Sequence, residues 1–235
     1  ITGSSHLHLG LSPQAFHGQG IWGTYADAVI PGLHVVEGGQ TSTGSVVSWI
    51  RRTLGSPSYE GLNHEAAELE PGSEGVVIQE HFQGNRTPHT DPLSRGVISG
   101  LTLKHGRGHL FRAALEGIAF GTELILETMR NNGFAAETVV LAGGATRSDL
   151  WLQIHADVSN LPLTLTKVPD APALGSAILA AVGSGAFSDI GTATQKMVQV
   201  DNVIEPNQET HARYQPFYQS YQNHYLAMKN ARSIL

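Results

Sequence analysis

Thr138-Val139-Val140-Leu141-Ala142-Gly143-Gly144-Ala145 is the stretch on which the fold turns. Thr138 to Leu141 is rich in β-branched side chains and predicts a strand. The Gly143-Gly144 pair predicts a turn. Ser148 to Val158 then carries helical spacing, Leu163-Thr164-Leu165 reads as a strand, and Ala173 to Val182 as a helix. Strands alternating with helices mark an α/β layer architecture.

Upstream of this unit the longest amphipathic helix is expected over about 107–131. Leu110, Phe111, Ala114, Leu115, Ile118, Ile125 and Met129 recur at helical spacing there, and Asn132-Gly133 supplies the stop. Ser5 to Leu11 alternates polar and apolar residues, the period of a half-buried strand. Residues 12–32 read as a Gly/Pro-containing loop, Leu33 to Val36 as a short strand, and Gly44 to Leu54 as a helix. Residues 55–75, with Pro57 and Pro71, read as a surface excursion, and Val76-Val77-Ile78 as a short buried strand. A tail helix is expected over about 207–231. Tyr214, Phe217, Tyr218, Tyr221 and Tyr225 fall on one face of it, which is a packing stripe.

Composition narrows the function. The chain has 235 residues, enough to bury a real core. Hydrophobic residues are 40% and charged residues 14%, which argues against intrinsic disorder. Fourteen Lys and Arg against 20 Asp and Glu give a net charge of −6, the wrong sign for a nucleic-acid footprint. The absence of cysteine excludes a disulfide scaffold, a thiolate metal site and a Cys nucleophile, and points to the cytoplasm. No apolar run approaches the ~20 residues of a membrane span, and no signal peptide opens the chain. Ile1-Thr2-Gly3-Ser4-Ser5 already reads as strand and turn, so the chain is expected to be cut from a larger protein.

Gly18-Gln19-Gly20-Ile21-Trp22-Gly23 matches the letters of a dinucleotide fingerprint, but no strand precedes it and no helix follows, so a loop is the better reading. His6 and His8 share a strand face without an evident third ligand, so no metal site is assigned. Asn85-Arg86-Thr87 fits a glycosylation sequon without a secreted context. Three small-residue turns are more informative. Thr2-Gly3-Ser4-Ser5 offers backbone N–H groups and hydroxyls to an anion. Glu37 to Gly44 opens a helix with small residues, again suited to an anion. Leu141-Ala142-Gly143-Gly144-Ala145 lies between strand and helix, where α/β sheets bind ligands. No Walker A lysine motif is present, so a nucleotide would be held by separate turns.

A longer pattern ties these turns together. Gly96-Val97-Ile98-Ser99-Gly100-Leu101, followed after seven residues by His109 to Glu116, resembles the second signature of the FGGY carbohydrate kinases at every constrained position. Gly84-Asn85-Arg86-Thr87-Pro88, Asp91-Pro92 and Arg95-Gly96 resemble another run of that family. Ala142 to Ala145 with Gln153, Ala156 and Asp157 resembles its adenosine segment, and Ala173 to Ala177 its later helix. The resemblance covers essentially the whole chain, 1–235, as the second of two domains.

That resemblance implies an actin-like, ribonuclease-H-like ATPase domain, with ATP and Mg2+ in the cleft against a partner N-terminal domain absent from this chain. Gly3, Ser4 and Ser5 match the turn that holds the terminal phosphates, and Gly44 a glycine whose backbone approaches phosphates and ribose. Gly143, Gly144 and Ala145 match the turn against the adenosine. Ser48 stands where some members carry Gln toward the adenine, and Ser148 where Asn often reaches the nucleotide. The catalytic base and most of the sugar site are implied to lie in the first domain. No residue here, Asp27, Asp91 and Asp157 included, is assigned as base, and the chain alone is expected to be inactive. Ile21 to Gly32 followed by Glu37-Gly38-Gly39-Gln40 resembles the ribulokinase-like branch, implying a pentulose such as ribulose. Xylulose, glycerol or erythritol as substrate, a non-catalytic actin-like nucleotide module, and self-association as a homodimer are the alternatives left open.

Overall fold

The computed structural model describes residues 2–232. The first layer is an antiparallel sheet. β1 (His6–Ser12) pairs with β3 (His34–Gln40), His6 lying opposite Gln40, and β2 (Trp22–Ala26) pairs with the other edge of β3. β2 forms inside the segment read as a loop. Its residues are β-formers, but four of the five are exposed, so no alternation of burial marks it in the sequence.

α1 (Gly44–Thr53) follows as expected and buries Val46, Val47 and Ile50. The segment 55–75 is not a bare excursion. It contains α2 (Tyr59–Ala67), capped by Ser58, whose Oγ accepts from the Gly61 N–H at 3.1 Å. Leu62 and Ala66 of α2 are fully buried in the core that the long helix shares. A two-stranded antiparallel piece comes next, β4 (Val77–Gln79) with β5 (Val97–Ser99).

α3 (Arg107–Asn131) is the axis of the molecule, about 37 Å long at 1.5 Å per residue. It buries residues around much of its circumference, as a helix enclosed by neighbours does. The expected strand–turn–helix unit then appears. β6 (Val139–Leu141) leads through a 3-10 turn into α4 (Asp149–Ser159), and β7 (Leu163–Thr166) returns parallel to β6. α5 (Ala171–Gly183) and α6 (Ile190–Met197) precede β8 (Val200–Ile204), which pairs antiparallel with β7. α6 and β8 carry little burial and were not legible from pattern.

α7 (Gln208–Arg232) turns its tyrosine stripe inward, as the spacing predicts. Tyr214, Tyr221 and Tyr225 are buried. Each hydroxyl is satisfied: Tyr214 lies between the buried pair Arg112 and Glu116, Tyr221 donates to Glu80 at 2.7 Å, and Tyr225 donates to Asp91 at 3.2 Å. The stripe is core, and each polar tip has a partner that keeps its burial inexpensive.

Candidate functional site

The three small-residue turns meet, and Thr2 joins two of them. Its N–H donates to the Ala142 carbonyl at 2.7 Å, and its own carbonyl accepts from the Gly144 N–H at 3.0 Å. Its hydroxyl donates to Ala142 O at 2.8 Å and accepts from the Ala145 N–H at 3.2 Å. Gly143 makes this contact possible. It sits at φ +104°, and a Cβ there would lie 1.9 Å from Thr2 O. The third turn is attached in the same manner. Gly44 N donates to Gly3 O at 3.1 Å, while Thr43 N and Ser45 N both donate to Ser4 O, at 2.9 and 3.2 Å. A Cβ on Gly44 would approach Gly3 O to 2.3 Å.

This bonding corrects one expectation. The N–H groups of Gly44, Ser45, Gly144 and Ala145 already donate within the protein, so neither helix start offers them to an anion. In the first turn the N–H groups and hydroxyls of Ser4 and Ser5 have no partner among the described residues, and both residues are exposed at its tip. The other two turns hold that tip in place.

The turns border a cavity of about 660 Å³, within the usual range for small-molecule sites. Gly3, Ser4, Gly44, Ser48, Gly144, Ala145 and Ser148 all line it, so it gathers seven of the nine residues picked from the sequence. Gly143 stands behind the wall against Thr2. Ser5 closes the first turn, its carbonyl accepting from Gly3 N at 3.0 Å. The floor is apolar, made by Val47, Phe111, Leu115 and Trp151.

Side chains at the rim are already ordered. Ser148 caps α4, accepting from Trp151 N at 3.2 Å, and donates to Asn63 Oδ1 at 2.6 Å. Asn63 Nδ2 in turn donates to Tyr59 O at 2.8 Å. Ser48 Oγ accepts from Arg52 Nη1 at 2.8 Å. Arg52, Tyr59, Asn63 and Arg147 line the cavity and were missed by sequence reasoning. Arg52 was accessible in principle, four residues along the helix from Ser48. Tyr59 and Asn63 sit on α2, which the sequence pattern hides. The set suits a nucleotide: hydroxyls and N–H groups for phosphate, an apolar floor for a ring, and guanidinium groups at the edge. It does not suit a cation cage, because no carboxylate lines the cavity.

Other candidates lie elsewhere. Asp27 accepts from Gly32 N in its own turn. Asp91 binds Arg232 and Tyr225, and the Arg232 hydrogen bond holds its carboxyl down at about 2. Asp157, raised by burial, bonds Gln153 and the Asn207 N–H. Asn85 of the sequon is buried and bonded to His81. His6 and His8 do gain a third histidine, His155, whose ring centroid lies 5.7 Å from that of His6. Even so, no group of three or more His, Asp or Glu among the described residues is arranged to hold a metal ion. Nor is any described helix long and apolar enough to cross a membrane.

Comparison with known proteins agrees with this geometry. Residues 1–184 match the profile described as the FGGY family of carbohydrate kinases, C-terminal domain. An FGGY carbohydrate kinase domain-containing protein of Xenopus laevis is 34% identical over 93% of this chain, and 44% of that protein is covered. A ribulokinase of Mycolicibacterium smegmatis is 33% identical over 94% of this chain and 42% of its own length. The crystal structure of xylulose kinase from Rhodospirillum rubrum superposes with a TM-score of 0.85 at 28% identity, covering 97% of this chain and 46% of that one. The chain thus spans somewhat under half of these relatives. Its α/β layers are those of the actin-like, ribonuclease-H-like ATPase fold. With that profile match and two relatives above 30% identity along nearly its whole length, the chain belongs to the FGGY family of carbohydrate kinases.

Proposed function

We propose that this chain is the ATP-binding half of a cytoplasmic kinase that transfers the γ-phosphoryl group of ATP to a sugar hydroxyl. The observation that carries the reading is the convergence of three turns on one cavity with an apolar floor. Ser4 and Ser5 hold the terminal phosphates through their unspent N–H groups and hydroxyls. Gly44 keeps the backbone low where phosphate and ribose pass. Gly144 and Ala145 face the adenosine, whose ring rests on Phe111, Leu115 and Trp151. Ser48, Arg52, Asn63 and Ser148 form a prearranged polar rim around it.

Phosphoryl transfer depends mainly on positioning and on neutralising charge. Mg2+ would supply charge neutralisation on the phosphate oxygens. The catalytic base and most sugar contacts belong to an N-terminal domain in this reading, because no carboxylate among the described residues lines the cavity. A pentulose such as ribulose is the favoured acceptor. The segment 21–40 and the similarity to a ribulokinase support it. The structural likeness to a xylulose kinase favours xylulose as the second choice.

Gly144→Ala and Ser4→Ala in the full-length kinase test the site. A Cβ at Gly144 meets nothing within 4 Å, so alanine leaves the fold intact while protruding into the cavity. The KM for ATP is expected to rise about tenfold in each variant, one lost hydrogen bond or one steric clash being worth roughly 1.4 kcal/mol. The KM for the sugar is expected to stay near that of the parent. An unchanged KM for ATP in both variants would remove this reading.

A further inference from the structure

The cavity that gathers the three turns has two ends, and α1 runs from one to the other. Gly44, Ser48 and Arg52 all line it, and spacing four puts them on one face of the helix. Gly44 adjoins the exposed Ser4 tip, its N–H donating to Gly3 O at 3.1 Å. Arg52 lies two turns further on, about 12 Å along the axis at 1.5 Å per residue. Tyr59 belongs to that far end, since its ring centroid lies 5.0 Å from Cζ of the neighbouring Arg51. Asn63 follows Tyr59 by one turn, and Ser148 bonds to Asn63, with Arg147 beside it. With the phosphates at Ser4, the base of a nucleotide falls among these side chains.

What the far end can read is set by which groups are already engaged. An amide is the side chain that matches adenine, because it pairs a donor and an acceptor with the N6 amino group and a ring nitrogen. Asn63 is the one side-chain amide that lines the cavity, and both of its ends are taken. Its Oδ1 accepts from Ser148 Oγ at 2.6 Å, and its Nδ2 donates to Tyr59 O at 2.8 Å. Ser148 Oγ accepts in turn from the Trp151 N–H. No carboxylate lines the cavity either, so an N6 amino group meets neither a carboxylate nor a free amide oxygen. The groups left free are donors. Arg147 is exposed, and its guanidinium has no partner among the described residues. Arg52 uses only Nη1, toward Ser48 Oγ at 2.8 Å. A guanidinium donates and never accepts. The base edge that suits it is the O6 and N7 pair of guanine, which hypoxanthine also carries.

We infer that this cavity does not select adenine and takes the 6-oxopurine nucleotides GTP and ITP as readily as ATP. The apolar floor of Val47, Phe111, Leu115 and Trp151 holds the ring, and any purine covers it equally. Arg52 and Arg147 are the specificity-determining pair at the edge of that ring. They bond an O6 where one is present and ask nothing of an N6 amino group. Magnitude separates this from adenine recognition. A site that bonds a substrate group rejects the analogue lacking it by on the order of 10⁴–10⁵-fold, far more than an apolar pocket can. The inference rests on the nucleotide reading proposed above and adds the class of nucleotide.

The test is calorimetric and uses the full-length kinase with nucleoside diphosphates, so no sugar is needed. GDP, IDP and purine riboside 5′-diphosphate, which has no group at position 6, are titrated beside ADP. Each is expected to bind no more than about threefold more weakly than ADP. Arg52→Met with Arg147→Met keeps the stems and removes the donors. In that double variant the affinity for GDP relative to ADP is expected to fall about tenfold, as for a lost guanidinium contact to a base. ADP binding together with weaker binding than this by any of the three analogues overturns the inference and leaves the kinase reading standing. A GDP-to-ADP ratio unchanged in the double variant overturns the assignment of the two arginines. No binding by any of the four nucleotides removes the nucleotide reading, and this inference with it.

Discussion

Gly143 and Gly144 are neighbours with opposite tolerances. At Gly143 the backbone is left-handed, and a Cβ would drive into Thr2 O. Gly143→Ala should therefore strain the turn and break the Thr2 bonds, costing about 3 kcal/mol in urea unfolding. Gly144→Ala should cost under about 0.5 kcal/mol in the same measurement, since its Cβ meets nothing. Equal losses for the two would show that the Thr2 joint is not what the turn depends on. Glu80 makes a second point at this scale. Burial pushes its carboxyl from 4.5 up to about 7, against the hydrogen bonds from Gln40 and Tyr221. The folded protein then holds a proton that the unfolded chain releases between those values. Stability from this group is complete below about pH 4.5 and declines as pH rises to about 7. Glu80→Gln removes the titration. Relative to that variant the parent should lose about 3 kcal/mol between pH 4.5 and 8, at about 1.4 kcal/mol per unit. Parallel stability–pH curves for the two proteins would contradict it.

Among the elements, α2 shows where sequence reading stops. Gly61 and Asn63 lower its helix propensity, Pro57 and Pro71 flank it, and its apolar stripe is thin. Only Ser58 as cap and the Leu62/Ala66 pair signal it, and both are quiet in isolation. The helix forms because α3 offers a surface for Leu62 and Ala66, which is tertiary packing overriding local preference. Leu62→Ala should cost 2–5 kcal/mol by a cavity in this contact, read as a shift in the unfolding midpoint without a change in slope. α3, α4 and α7 were legible because each keeps an apolar face long enough to outweigh its exceptions. β2, α6 and β8 were not, because mostly exposed elements leave no alternation to read. The same difference divides the site. Turn residues such as Gly3, Gly44 and Gly144 announce themselves by chemistry. Tyr59 and Asn63 reach the cavity only once α2 exists. Thr2 was read as part of the first turn, but its role in joining two turns lies in backbone bonds to Ala142 and Gly144 that no local pattern carries.

On the scale of the whole molecule, two cavities meet one face of α4, the first at Trp151 and the second at His155 and Ser159, which follow it at spacing four. One gathers the phosphate-type turns, and the other runs between the sheet edges. The α/β layering was visible in the order of strands and helices. The wall between the two spaces is thin. Trp151 contributes its ring to the floor of the first, and that ring lies 5.7 Å from both His6 and His155, which line the second. One indole therefore lines the first cavity and packs against two histidines that line the second. In a variant with Trp22 and Trp49 replaced by Phe, the emission of Trp151 becomes an optical gauge of filling in the first cavity.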